Sequence, residues 1–365
     1  MISEKRILSR AHVVLLSIIL MTLHAFSAWC ASGEGSAEEP SFMAIPIVSY
    51  STDTGVFGGA AALKSYHHER YRVSTTGVST IYSQKKQFTF SVFVDHYFSG
   101  DRDRLFASFK YQKYPTYFHG IGNISTPGVY DKYTPEYVNM RLFYERRLRG
   151  SFKVKAGMVF HNQALVKSDA DGLLRTTGAP FLHGRLDAGP ELSLVWDSRD
   201  NTIASQSGSL VQVIYTGGVI QDDGGGYNQL AVDARTFYQP VSGVVLAFMA
   251  EMVTARGSLP FYLYPAIGGS DRLRGYEEDR FVDRSTILIQ HDIRFPLWKT
   301  IGGAVFAATG RVAPDVTTLF EGQFHSAAGA GLRWYFNKEK HLVISCDFAW
   351  GSDTRGVYFN YGEAF

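Results

Sequence analysis

From about residue 42 onward, apolar and polar residues alternate with a period of two. That spacing puts successive side chains on opposite faces of a strand. In 340–351, Leu342, Ile344, Cys346, Phe348 and Trp350 share one face, and Val343, Ser345, Asp347, Ala349 and Gly351 the other. In 325–336, Ala328, Ala330, Leu332, Trp334 and Phe336 oppose Ala327, Gly329, Gly331, Arg333 and Tyr335. Ile287, Ile289, Ile293 and Phe295 oppose Gln290, Asp292 and Arg294, and Val138, Met140, Leu142 and Tyr144 oppose Asn139, Arg141 and Glu145. The pattern predicts about sixteen strands of about ten residues, the length of a tilted membrane strand. They begin near Met43, Gly55, Arg72, Gln87, Arg104, Glu136, Ser151, Arg185, Gly208, Tyr227, Ser242, Ser285, Thr300, His325, His341 and Gly356. The longer connections are Pro115–Pro135, Ala164–His183, Thr254–Arg284 and Ala313–Phe324.

A soluble sandwich and a membrane barrel both give this alternation, with opposite faces toward the core. The polar faces carry Arg141, Glu145, Lys153, Lys155, Asp233, Arg235, Glu251, Asp292, Arg294, Arg333 and Asp347. Those are too many charges for a dry core, while a wet lumen accepts them as cross-paired ions. Aromatic residues gather at strand ends, as in Trp334–Phe336, Trp350 and Tyr358–Phe365, in the manner of an interfacial girdle. The expected fold is therefore all-β: a transmembrane antiparallel barrel, one domain over 42–365.

Composition agrees. Of 365 residues only 19% are charged, 14% are aromatic and 36 are glycine. Lys and Arg number 36 against 34 acids, a balance that argues against a nucleic-acid binder. Two cysteines cannot form a disulfide scaffold. Lys5, Arg6 and Arg10 precede the apolar run Val13–Leu23, and small residues follow, so 1–31 reads as a signal peptide cleaved between 27 and 32. A lipidated Cys30 is disfavoured by Trp29 before it. Residues 32–41 form a polar lead-in. No later segment has the 18 or more apolar residues of a membrane helix, so a spanning chain must close as a barrel.

Several stretches resemble the bacterial surface antigen family, within the BamA-like superfamily of outer-membrane barrels. The sharpest is Arg272-Leu273-Arg274-Gly275-Tyr276, similar to the family's Arg-Gly-Phe/Tyr motif at the tip of its sixth surface loop. His291–Pro296, the Gly-x-Gly-Leu-Arg run Gly329–Trp334, the Asp-Ser-Arg-Asp run Trp196–Asn201, Phe118–Asn123 and Pro46–Gly55 resemble other family segments in the same order. The resemblance implies a long surface loop folded into the lumen, with Arg272, Arg274, Gly275 and Tyr276 as a lock. Asp292, Arg294, Arg333 and Asp347 are its candidate inner-wall partners. One departure stands out: the family's Phe-x-Asp-x-Gly strand reads Phe306-Ala307-Ala308-Thr309-Gly310 here. Asp292 or Asp347 would then have to replace the missing acid. No polypeptide-transport-associated (POTRA) domain fits before the first strand, so a stand-alone barrel is expected. The chain ends in Phe365, and Tyr361 and Phe365 on the last strand look like the signal such barrels present to their assembly machinery.

Each sharp reading has a bland counterpart. Arg274 is either a lock that sets whether the pore is closed or a structural plug, and the two are compatible. Asp197–Asn201 reads as a turn whose side chains bond their own backbone. His67 and His68 read as solvated loop residues, and His291 falls on the outward face. No metal spacing, phosphate loop, HExxH or GxSxG is present, so neither enzyme activity, cofactor nor metal is expected. The expected function is protein or lipid translocation or assembly at the outer membrane. A gated or passive solute pore is the alternative, and a barrel enzyme or adhesin less favoured. Expected partners are outer-membrane lipids, the barrel-assembly machinery during insertion and a separate periplasmic protein, with no nucleic acid.

Overall fold

The computed structural model describes residues 41–365 except 52–53, 69–70, 101, 127, 169–171, 178–185, 203, 221–224 and 338–341. The expected signal peptide, and the lead-in up to residue 40, lie outside the described residues.

The alternation folds as strands. The first half of the wall is β1 (Ser41–Ser51), β2 (Gly55–His68), β3 (Tyr71–Ser83), β4 (Phe88–Phe98), β5 (Asp103–Lys113), the short β6 (Thr116–Phe118), β7 (Asp131–Arg149), β8 (Phe152–Lys167) and β9 (Leu186–Asp197). The second half is β10 (Gly208–Ile220), β11 (Gly226–Val241), β12 (Val244–Gly257), β15 (Ser285–Trp298), β16 (Ile301–Ala313), β17 (His325–Asn337), β18 (Leu342–Trp350) and β19 (Arg355–Tyr361). Between β12 and β15, β13 (Ala266–Ile267) and β14 (Phe281–Val282) form a separate two-stranded ladder. The wall is one 17-stranded antiparallel sheet: sixteen long strands in chain order, plus β6.

The strand starts fall within two residues of those expected, with one exception. β7 begins at Asp131, where the alternation predicts a connection running to Pro135. Its early residues are drawn into the sheet by β6, through Thr116↔Tyr133 and Phe118↔Asp131. Pro135 sits at a register shift, where a missing N–H is tolerated. His67 and His68, read as loop residues, instead close β2.

Faces sort as the alternation requires. In β9, Leu192, Leu194 and Trp196 are exposed outward while Glu191, Ser193 and Val195 are buried inward. His291 is outward between inward Gln290 and Asp292. The four longest strand connections, 114–130, 168–185, 258–284 and 314–324, share one rim. The main apolar cluster lies inside the wall. Ile267, Leu273, Tyr276 and Phe281 of loop 258–284 pack on Val245, Ala247 and Met249 of β12, Leu288 of β15, Val312 of β16 and Ala327 of β17. The loop is thus folded into the lumen and brings its own apolar surface with it.

The two ends of the sheet are joined differently from the rest. β1 pairs with β2 from Ser41↔Ser65 to Ser51↔Gly55, and β18 with β19 from Ile344↔Tyr361 to Trp350↔Arg355. Among the described residues β1 and β19 meet only at Ser51↔Tyr358. Among the described residues no continuous ladder closes the cylinder.

Candidate functional site

Arg274 lies on loop 258–284 and is 1% exposed. Its Nη1 donates to Asp347 Oδ2 at 2.7 Å and its Nη2 to Asp292 Oδ1 at 2.7 Å. The guanidinium lies over the Phe306 ring, 3.6 Å from its centroid. Strand register explains the convergence. Asp292 on β15 is opposite Phe306 on β16, which is opposite Gly329 on β17. Phe306 therefore lies between the two carboxylates, and the planar fork spans it to reach both. A lysine, a single point of charge, lacks that reach.

The same carboxylates hold two further arginines. Arg333 Nη1 donates to Asp347 Oδ1, and its Nε to Glu363 Oε2 at 2.8 Å. Arg294 Nε is 3.5 Å from Glu363 Oε2, and its Nη2 is 3.7 Å from Asp292 Oδ2. Arg274, Asp292, Arg294, Glu363, Arg333 and Asp347 thus form a ring of alternating sign, three cations and three anions, all with buried side chains. Each charge has opposite charges on both sides, the condition under which buried ions persist. Gly331 makes the ring possible. It faces Asp347 across the β17–β18 ladder, and a Cβ on it would lie 2.0 Å from Asp347 Oδ1. The Gly-Leu-Arg run thus clears space for the carboxylate and puts Arg333 two residues along on the same face.

Beside Arg274 the backbone itself is gripped. Gly275 has φ +111°, and a Cβ there would come within 2.8 Å of the Trp350 carbonyl carbon and the Gly351 nitrogen. Its N–H donates to Tyr358 Oη at 3.1 Å, and Thr354 Oγ1 donates to its carbonyl. Tyr358 Oη donates to the Tyr276 carbonyl at 3.1 Å. Tyr276 Oη meets the Ser326 carbonyl at 3.2 Å and Ser352 Oγ at 3.0 Å. Arg272 turns to the other side and pairs with Glu251 of β12 at 3.1 Å.

A family model described as an Omp85 superfamily domain matches residues 72–365. The chain belongs to the Omp85 superfamily. Among solved structures, BamA from Haemophilus ducreyi lacking POTRA domains 1–3 matches this Omp85 chain with a TM-score of 0.62 and 12% identity, over 89% of this chain and 70% of that one. CdiB from Acinetobacter baumannii gives 0.55 at 13%, over 89% of this chain and 59% of that one. CdiB from Escherichia coli gives 0.58 at 13%, over 90% and 62%. The Omp85 chain thus spans less than two thirds of either CdiB, and the likeness to all three is one of fold. A sequence comparison with curated proteins gives no match.

The structure of this Omp85 barrel brings together the residues named from sequence around one ring: Arg274, Asp292, Arg294, Arg333 and Asp347, with Gly275 and Tyr276 adjoining and Arg272 apart on Glu251. Ala308, where the family pattern has an acid, packs in the apolar cluster instead. The chain terminus departs from expectation. Strand β19 stops at Tyr361, and Gly362, at φ +97°, turns the last residues inward. Phe365 is buried in the lumen, its ring 6.4 Å from Phe237, and Arg294 Nη2 donates to its main-chain oxygen at 3.1 Å. Phe365 is thus not an outward aromatic continuing the last strand. Sequence reasoning missed Tyr358, Thr354, Ser352 and Glu363. Glu363 carried a signal, since it shares the parity of Phe359, Tyr361 and Phe365 but is an acid.

The outer rim fastens the loop again. The buried His119 ring places Nε2 3.1 Å from Glu277 Oε2 and Nδ1 3.0 Å from Arg280 Nη1. Gly122 N–H donates to the Val282 carbonyl at 2.7 Å, and Asn123 Nδ2 to the Gln323 carbonyl at 2.9 Å. The Phe118–Asn123 segment is thus a clasp between loop 114–130, the infolded loop and the β16–β17 connection.

Proposed function

We propose that this Omp85 chain is an integral outer-membrane barrel that moves or inserts protein or lipid, with loop 258–284 as its closing element. The observation that carries the reading is the buried Arg274 fork across Asp292 and Asp347, which fixes the loop to β15 and to β18, the strand beside β19. The seam is the second support. Ser51↔Tyr358 is its single described pair, Pro46 in β1 removes a donor, and Gly362 ends β19. Tyr358 touches both elements, since it pairs with β1 and bonds Gly275 and Tyr276. Release of the loop would therefore loosen the seam as well.

The deciding experiment compares the outer-membrane proteins and surface-exposed lipids of a deletion strain with those of its parent. Selective loss of one protein or lipid supports translocation or assembly and names the client. An unchanged envelope contradicts it and favours the second reading, a gated solute pore. A cavity of about 510 Å³ on the opposite side of the lumen favours that second reading. It is walled by paired charges, including Arg104–Asp95 at 2.6 Å and Arg199–Asp197 at 2.9 Å.

A further inference from the structure

The cavity of about 510 Å³ lies at the short-turn end of the lumen, among residues next to turns 99–102 and 150–151. Its charges do not balance. Six bases line it, Arg104, Arg141, Lys153, Lys155, Arg199 and Arg235, against three acids, Asp95, Glu145 and Asp197. Two further carboxylates adjoin these bases, Glu191 at 3.1 Å from Lys155 and Asp233 at 2.8 Å from Arg235. The rim adds two more bases. Arg147 lies opposite the lumen-lining Lys153 in the β7–β8 ladder, and its N–H donates to the Arg102 carbonyl at 2.7 Å. Neither the Arg102 nor the Arg147 side chain makes a hydrogen bond or ion pair among the described residues. Asp103 and Asp200, in or beside the adjoining turns, are held elsewhere, Asp103 by Tyr144 and Arg146 and Asp200 by the N–H groups of Gln206 and Ser207. Eight bases thus stand against five acids.

The open hydrogen-bonding capacity is on the basic side. Arg104 is satisfied by a two-pronged bond to Asp95 at 2.6 and 2.9 Å, and Arg199 holds Asp197 at 2.9 Å. Lys153 comes second to both acids it approaches. Its Nζ is 3.6 Å from Asp197 and 3.7 Å from Glu145, too far for a hydrogen bond, and its ammonium makes none among the described residues. Yet Lys153 is only 9% exposed and lines the cavity. Arg141 likewise comes no closer than 3.9 Å to Glu191, which Lys155 already holds. A buried ammonium with its donors unfilled requires an acceptor, and the local excess of positive charge requires an anion. A phosphate monoester brings nearly two negative charges and three strong acceptor oxygens, which a neutral solute or a single carboxylate does not. Four of the six lining bases are arginines, whose planar forks suit phosphate. The volume holds a phosphate with a small polyol or head group and is too small for a folded segment.

We propose that this chamber binds a phosphate monoester, with Lys153 and Arg141 as its principal donors and Arg102 and Arg147 drawing it in from the rim of short turns, the periplasmic side of such a barrel. The site requires only the closed barrel, not that the loop opens, so its success or failure is separate from the transport reading. Glycerol 3-phosphate, uncharged glycerol, dihexanoyl phosphatidate and tri-glutamate are titrated by calorimetry into the full-length barrel in an uncharged detergent. Saturable binding of a phosphate probe is expected, weakening as salt is raised, with none of glycerol. Lys153→Gln and Arg141→Gln should each weaken it by about tenfold. Arg141 is the safer of the two for folding, since its side chain is 57% exposed. Arg256→Gln, an exposed arginine on β12 outside the chamber, should leave affinity unchanged. Tighter binding of glycerol 3-phosphate identifies a free solute as the source of the phosphate, and tighter binding of the phosphatidate a lipid head group. No saturable binding of either phosphate, equal binding of glycerol or tri-glutamate, or unchanged affinity in Arg141→Gln overturns the proposal.

Discussion

At the scale of the residue, the account rests on Arg274. Taking away one member of a buried ion ring strands its partners, so Arg274→Ala should cost about 3–5 kcal/mol in denaturant unfolding. Arg274→Lys should recover little of this, because one ammonium cannot bridge Asp292 and Asp347 across Phe306. Gly275→Ala should displace the loop without any change of charge, since its Cβ meets main-chain atoms of Trp350 and Gly351. Protease sensitivity of 258–284 reads that displacement. Two loop carboxylates give opposite pH signatures. The hydrogen bond from His119 holds the Glu277 carboxyl below the usual value of 4.5, so its contribution is present above 4.5 and lost as pH falls through the lowered value. Burial, opposed by the charges of Arg272 and His119, pushes Asp279 up, so its contribution belongs to the protonated form and is lost as pH rises. Thermal unfolding should therefore find Glu277→Gln less stable than the parent at neutral pH and converging with it in acid. Asp279→Asn should be more stable at neutral pH and should also converge in acid.

At the scale of the element, period-two alternation made the wall legible, because burial on one face and exposure on the other leave a mark at every position. Inward Asp292, Arg294, Arg333 and Asp347 could be read from parity alone. What parity cannot carry is contact between elements distant in sequence. Tyr358 looked like one more girdle aromatic, yet it points inward and bonds Gly275 and Tyr276, 83 and 82 residues away. The terminal residues misled for the same reason. Alternation was extended past Tyr361, but Gly362 reverses the chain and Glu363 finds Arg333, 30 residues back. β7 starts early because β6 pairs with it, a partner too short to show a period. Glu363→Gln should therefore weaken the ring from the terminus, destabilising the barrel in denaturant less than Arg274→Ala does, since Arg333 and Arg294 retain Asp347 and Asp292.

At the scale of the whole molecule, a lumen loop, an ion ring and a thinly paired seam meet on the same few strands, β15 to β19 and β1. A crosslink across the seam separates their roles. Tyr50→Cys with Phe359→Cys, the positions next to Ser51↔Tyr358 in that register, in a Cys346→Ser background, should abolish activity when oxidised and restore it when reduced. Full activity of the oxidised form would remove lateral opening from the account. The measurement that tests the central claim most directly is conductance in planar bilayers, wild type beside Arg274→Ala. The loop as closing element predicts little or no current from the wild type and large, fluctuating openings from the variant. A large, steady and identical current from both would contradict it.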